Sequence, residues 1–133
     1  MTVMEPSLSP MRWIPSLIMM GLIFILSSLP ASRVPDFGAV DFLVKKGGHA
    51  TGYALLALAY YFALPPRLTP GYRVMMALLM AILFALSDEY HQSFVEGRTS
   101  SLRDVVIDGG GAVFALMIAA VYSPNSSSRS DSS

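Results

Sequence analysis

The charged residues of this chain leave three stretches of 20 residues free of Asp, Glu, Lys and Arg. They cover residues 13–32, 47–66 and 109–128, and a shorter stretch of 14 residues covers 74–87. A helix rises about 1.5 Å per residue, so roughly 20 residues cross a hydrocarbon core of about 30 Å. The spacing of the charges therefore predicts helices that span a lipid bilayer.

We predict an all-α integral membrane bundle of four transmembrane helices, at about 13–30, 48–64, 73–92 and 103–122. The last two spans reach a sufficient length only if they carry charged residues inside their ends. The first span has an alternative interpretation as a signal peptide, since Arg12 precedes it and residues 29–32 resemble a cleavage site.

Three regions follow from these spans. Residues 1–12 form an N-terminal arm, residues 13–122 form the membrane domain, and residues 123–133 form a Ser-rich tail whose composition is typical of disorder. We find no internal repeat.

The composition agrees with a membrane protein and argues against an ordinary soluble enzyme. Apolar residues make up 53% and charged residues 14%, against about 25% charged residues in average soluble domains. Lys plus Arg equals Asp plus Glu, nine each, so no bulk charge favours nucleic acid as a partner. The chain has no cysteine, which excludes disulfides, thiolate nucleophiles and Cys-based zinc sites.

Four spans place the two termini and the 65–72 loop at one end of the bundle, called end A. The 31–47 and 93–102 connections then lie at the opposite end, called end B. Lys and Arg occur at both ends, so their count does not decide the orientation. We expect the termini to be cytoplasmic because several end-B cations are better explained by a site. Aromatic residues that suit the membrane interface cluster at end A: Trp13, Tyr60, Tyr61, Tyr72 and Tyr122.

Polar residues gather at the end-B termini of spans 2, 3 and 4. Spacings of three and four residues place His49 with Tyr53, and Asp104 with Asp108, on shared helix faces. An ionisable group at membrane depth costs about 2.5–3.5 kcal/mol on insertion scales and is tolerated when it faces the bundle interior and is paired. The residues that we assign to ligand binding are Lys46, His49, Tyr53, Asp88, Glu89, Gln92, Arg98, Asp104 and Asp108.

Acids and bases are balanced in this group, so mutual pairing is expected. We predict Glu89 with Arg98, and Asp104 or Asp108 with Lys46 or His49. The spacing alone does not decide which of these pairs form.

The order and spacing of these residues resemble the VanZ-like family of small bacterial membrane proteins. The resemblance covers residues 45 to about 112 and implies a protein of the bacterial cytoplasmic membrane. It also implies a cell-envelope role linked to tolerance of glycopeptides of the teicoplanin type, without a settled biochemical mechanism. The motifs are Lys46-x-x-His49-x-x-x-Tyr53, Asp88-Glu89-x-x-Gln92-x-Phe94-x-x-Gly97-Arg98 and Asp104-x-x-x-Asp108-x-x-Gly111.

Two positions depart from the family pattern. Asp108 stands where the family often has Asn, so a contact that needs the amide donor is lost. Lys45 stands where the family often has Asp, which removes one carboxylate. The N-terminal arm and the Ser-rich tail carry no part of the resemblance.

The functional hypothesis is a polar pocket near the outer interface that binds an anionic lipid or a lipid-linked envelope precursor. Arg98 offers a planar fork of donors for phosphate or carboxylate, and Lys46 a second cation. Two alternatives stay open: a membrane enzyme that uses Glu89 or His49 as acid or base on an envelope lipid, and a structural or partner-binding protein whose polar cluster stabilises helix packing. The hypothesis of a proton-coupled transporter has less support than these alternatives, because the sequence contains no paired repeat.

Other polar and small residues have simpler interpretations. His49 and His91 could join carboxylates such as Asp88, Glu89 and Asp104 in a metal site, but no tight ligand spacing is present, and we predict no metal and no cofactor. Ser100 or Ser101 is expected to cap span 4 rather than act as a nucleophile. The glycines at 109–111 are expected to let helices pack closely. Oligomeric state is left open.

Overall fold

The computed structural model describes residues 10–122, and this part of the chain is helical, without a strand. It holds four α-helices, as predicted: α1 (Ile14–Ser27), α2 (Asp41–Ala63), α3 (Pro70–Gln92) and α4 (Leu102–Tyr122). Short 3₁₀ turns precede α1 at Pro10–Trp13 and occupy the connection to α2 at Ala31–Arg33 and Gly38–Val40.

Three helical segments are long and apolar enough to cross a membrane: Pro10–Ser27, Pro70–Gln92 and Leu102–Tyr122. Large apolar side chains lie on the outside of the bundle, among them Leu17, Leu79 and Phe114, which are at least half exposed. Exposed apolar surface on this scale is typical of helices in contact with lipid. The chain is therefore an integral membrane protein.

The fourth helix, α2, is 23 residues long but is not among these three segments, and it carries Asp41, Lys45 and Lys46 in its first two turns. It contacts α1, α3 and α4, so its neighbours shelter much of its surface. Its buried face follows helical spacing, with Tyr53, Leu56, Ala57 and Tyr60 each at most 3% exposed. A helix enclosed in this way can carry polar residues that a lipid-facing helix could not.

α2 begins at Asp41 rather than near residue 48. The Asp41 side chain accepts the Phe37 N–H at 3.1 Å and pairs with Lys45 at 2.9 Å, one helical turn later. The predicted 31–47 connection is therefore too long at its second end, because these local contacts start the helix at Asp41. Similarly, α3 begins at Pro70, where the Thr69 side chain accepts the Tyr72 N–H.

Small residues allow the helices to pack closely. Ala77, Ala81 and Ala85 form a buried stripe on α3. On α4, a Cβ built on Gly111 would lie 3.0 Å from the carbonyl carbon of Ala50 and closer still to its oxygen, so α2 and α4 meet backbone to backbone. The prediction of close packing is thus confirmed at Gly111, whereas Gly110 has nothing within 4 Å of its added Cβ.

Two arginines hold end A together. Arg12 donates to the carbonyl oxygens of Phe62 and Leu64, and Arg73 donates to that of Tyr61 at 2.7 Å. The last carbonyls of a helix have no intrahelical donors, so the guanidinium groups satisfy the C-terminus of α2.

The aromatic residues of end A divide into two groups. Tyr72 and Tyr122 are exposed and can lie at the membrane interface, as predicted. Tyr60 and Tyr61 are at most 3% exposed, so their assignment to an interfacial belt was wrong. They belong to the core because their face of α2 is turned to the bundle interior.

A tight contact between two connections shapes end B. The Ala31 N–H donates to the Glu96 carbonyl at 3.2 Å, and a Cβ on Gly97 would lie 2.8 Å from that of Ala31. Gly97 also has a φ of +76°, which side chains rarely adopt. Glycine at this position therefore lets the connection before α4 lie against the one after α1, and it sets the position of Arg98.

Candidate functional site

Asp88 on α3 joins three helices. Its Oδ2 accepts hydrogen bonds from Ser27 of α1 at 2.9 Å, Tyr53 of α2 at 3.1 Å and Gln92 of α3 at 3.4 Å. Gln92 also donates to the Ser27 Oγ at 3.1 Å. Asp88 is only 3% exposed, and its Oδ1 is buried without a hydrogen-bond partner.

Sequence analysis missed Ser27. Its signal was a hydroxyl residue at the end-B terminus of an otherwise apolar span, at the same membrane depth as the polar clusters. Its contacts, and the burial of Ser16 and Ile23 on the same face of α1, make α1 part of the bundle. They favour the membrane span over the signal-peptide interpretation.

Two of the predicted pairings are confirmed between α2 and α4. Lys46 Nζ forms an ion pair with Asp104 Oδ1, and His49 Nδ1 lies 3.8 Å from Asp108 Oδ1. The Asp104 N–H donates to the Ser101 Oγ at 3.4 Å, so Ser101 caps α4 as expected.

The predicted pair of Glu89 and Arg98 was wrong. Glu89 Oε2 accepts the backbone N–H of Ser101 at 3.0 Å. Arg98 instead donates to the carbonyl oxygens of Leu29 at 3.0 Å and Leu26 at 3.1 Å. Leu26 lies in the last turn of α1, where its carbonyl also accepts the Leu29 N–H at 3.3 Å, and Leu29 lies two residues beyond the end of the helix. Arg98 therefore ties the connection before α4 to the end of α1.

The histidines have separate environments. His91 stacks on Phe24 with ring centroids 4.4 Å apart, and its Nε2 lies 2.9 Å from the Ser28 Oγ. His49 faces Asp108 instead. Within residues 10–122, no three His, Asp or Glu side chains come together in a way that could hold a metal ion.

A cavity of about 670 Å³ opens beside this network. Its volume lies within the range of about 300–1,000 Å³ that is usual for ligand sites. Asp88 is the predicted site residue that does not line the cavity. It lies behind the wall, where it accepts hydrogen bonds from Ser27, Tyr53 and Gln92. The other predicted site residues line the cavity: Lys46, His49, Tyr53, Glu89, Gln92, Arg98, Asp104 and Asp108.

The opposite wall of the cavity is apolar, and sequence analysis did not assign it to the site. Met19, Leu22, Ile23 and Leu26 come from one face of α1. Their spacing of three and four was visible in the sequence, but apolar residues occur on every side of that span, so the pattern did not mark one face as the cavity wall. Residues of the connection between α1 and α2, including Arg33, complete the rim.

The cavity therefore combines a polar part and an apolar part. Its polar end is built by α2, α3, α4 and Arg98, and its apolar wall is built mainly by α1. This arrangement can accept a molecule with a polar head and a hydrocarbon part.

Comparison with known proteins agrees with this description at the level of the family. Neither a curated protein nor a solved structure matches the chain. The family model described as VanZ/LLP1 matches residues 2–123. The match extends the resemblance from the motifs at 45–112 to α1 and to most of the N-terminal arm. We had not expected the arm to belong to the family pattern. The chain belongs to the VanZ/LLP1 family of membrane proteins.

Proposed function

We propose that the cavity binds the head of an anionic membrane lipid or lipid-linked envelope precursor, and that the protein has a cell-envelope role linked to tolerance of teicoplanin-type glycopeptides. One observation carries the binding proposal: a single cavity joins a polar end rich in ionisable groups to an apolar wall. The link to glycopeptides rests on the family alone.

The apolar wall supports an amphiphilic ligand over a small soluble one. A hydrocarbon part could pack against Met19, Leu22, Ile23 and Leu26 and gain van der Waals contacts there. A small polar metabolite would leave this surface unused.

The cations at the polar end keep donors for an anion. Arg98 uses two N–H groups on the carbonyls of Leu26 and Leu29, and a guanidinium has five. Lys46 is paired with Asp104, but an ammonium has three donors. Each side chain can therefore contact a phosphate or carboxylate while it keeps its present partner.

The test is native mass spectrometry of protein extracted in mild detergent, with the wild type beside Glu89→Ala and Arg98→Ala. We expect a defined lipid or lipid-linked species on the wild type and its loss from both variants. Arg67→Ala is the matched control, because Arg67 is exposed at end A, away from the cavity. Bare protein with identical spectra for all four samples would overturn the proposal.

A structural role is the second candidate, and the Asp88 hydrogen bonds among α1, α2 and α3 favour it. In that case Glu89→Ala and Arg98→Ala should lower the melting temperature without changing any bound species. The same samples, heated in detergent, distinguish the two functions.

A further inference from the structure

The charges that line the cavity are sorted in space. Lys46 pairs with Asp104, and Lys45 pairs with Asp41. Among residues 10–122, Glu89 has no cation within ion-pair distance, and the rim residues Arg33 and Arg98 have no carboxylate within that distance. The lining thus has cations without an acid partner at exposed and half-buried positions, and an acid without a cation partner at a buried one.

The inner wall holds more acids than bases. Glu89, Asp104 and Asp108 of α3 and α4 line it, whereas Lys46 and His49 are the basic groups of α2 in the same network. One of these carboxylates therefore lacks a compensating charge even when His49 is protonated. Close carboxylates with too few cations are stabilised by a cation brought from outside.

Asp88 independently indicates that the polar network lacks a hydrogen-bond donor. Its side chain is nearly fully buried at the base of this network, yet the Oδ1 has no hydrogen-bond partner. A buried carboxylate oxygen without a donor is rare in folded proteins because its desolvation is not compensated. Within residues 10–122, Asp88 is therefore short of a donor and Glu89 of a positive charge.

This inference rests on the proposed function and narrows its anionic group to one phosphate: we propose that the ligand head is zwitterionic, with that phosphate held by Arg33 and Arg98 and an ammonium directed to Glu89 and the acids beside it. An aminophospholipid has this chemistry. Its phosphate matches the guanidinium donors, and its ammonium supplies three N–H donors to a wall that lacks them.

The test compares two diacyl lipids with identical chains, phosphatidylethanolamine and phosphatidylglycerol, added to delipidated protein and measured by native mass spectrometry. Both carry one phosphate, and only the first carries an ammonium. We expect the wild type to prefer phosphatidylethanolamine by about tenfold, the ratio that one charged hydrogen bond supplies. Phosphatidylethanolamine acetylated on its nitrogen should lose the preference.

The variants test the contact to the ammonium and the contact to the phosphate separately. Glu89→Gln keeps an acceptor for the Ser101 N–H and should bring the ratio of the two affinities close to one. Arg33→Gln, at an exposed position that leaves the fold intact, should weaken both lipids in parallel and keep their ratio. Glu96→Gln is the control, because Glu96 is an exposed end-B acid outside the cavity wall.

Two failures have different meanings. If the wild type retains neither lipid, the proposed function fails together with this inference. If both lipids bind equally well, or if Glu89→Gln keeps the preference of the wild type, the zwitterionic head is wrong while lipid binding stands.

Discussion

At the scale of single residues, Asp88 connects helices that lie far apart in the chain. One carboxylate oxygen accepts donors from Ser27, Tyr53 and Gln92 on three different helices. Donors buried in an apolar bundle cost free energy when their acceptor is removed. The residue therefore fixes the relative positions of α1, α2 and α3 at end B.

Replacing Asp88 with Ala should destabilise the protein. Three buried donors lose their acceptor, and the expected loss in unfolding free energy is about 1–3 kcal/mol for each donor left without a partner. Tyr53→Phe removes one donor together with its need for an acceptor, so the loss in unfolding free energy should be smaller than for Asp88→Ala. Thermal unfolding in detergent measures both variants, with Glu96→Ala as the exposed control. A melting temperature for Asp88→Ala equal to that of the wild type would contradict this role.

At the same scale, the sequence predicted which polar residues face the cavity better than it predicted their partners. Helical spacing put His49 and Tyr53 on one face, and both line the cavity. It could not show that Arg98 binds the carbonyls of Leu26 and Leu29, because backbone acceptors leave no mark in the amino-acid sequence. An acid of the polar clusters, Glu89, was therefore assigned to Arg98 incorrectly.

At the scale of secondary structure, the contact of α2 with α4 depends on Gly111. The backbone of Ala50 occupies the space that a Cβ would take. This approach brings Lys46 and His49 within reach of Asp104 and Asp108. The glycine thus contributes to the site without lining it.

Gly111→Ala should destabilise the bundle by about 1–3 kcal/mol, the usual cost of overpacking. Gly110→Ala is the matched control, because its added methyl group meets nothing within 4 Å. In that variant the higher helix propensity of Ala, up to about 1 kcal/mol, favours the folded state. The measurement is thermal unfolding of both variants in the same detergent. Equal effects of the two substitutions would show that α2 and α4 are not in backbone contact.

At the scale of the whole molecule, the ionisable groups are divided unequally between the ends. End A carries Arg12, Arg67 and Arg73, and the acids of residues 10–122 all lie toward end B. Several end-B cations are engaged in the site, Lys46 and Arg98 among them. Cations outside a site bias a membrane protein toward a cytoplasmic location of the loops that carry them.

We therefore expect end A to face the cytoplasm and the cavity to open toward the outer interface. The chain has no cysteine, so single cysteines can be introduced without background. Ser32→Cys at end B should react with a membrane-impermeant maleimide in intact cells, and Pro66→Cys at end A only after lysis. The reverse labelling pattern would show that end B faces the cytoplasm and end A the outside.

The sequence by itself determined the number of helices, their approximate positions and the polar residues that line the site. These follow from short-range rules, since charge-free length sets a span and a repeat of 3.6 residues sets a helix face. Only the tertiary structure decided the role of Ser27, the acceptors of Arg98 and the apolar wall formed by α1. These depend on how the helices are rotated and how closely they approach, which is fixed by contacts between residues far apart in the chain.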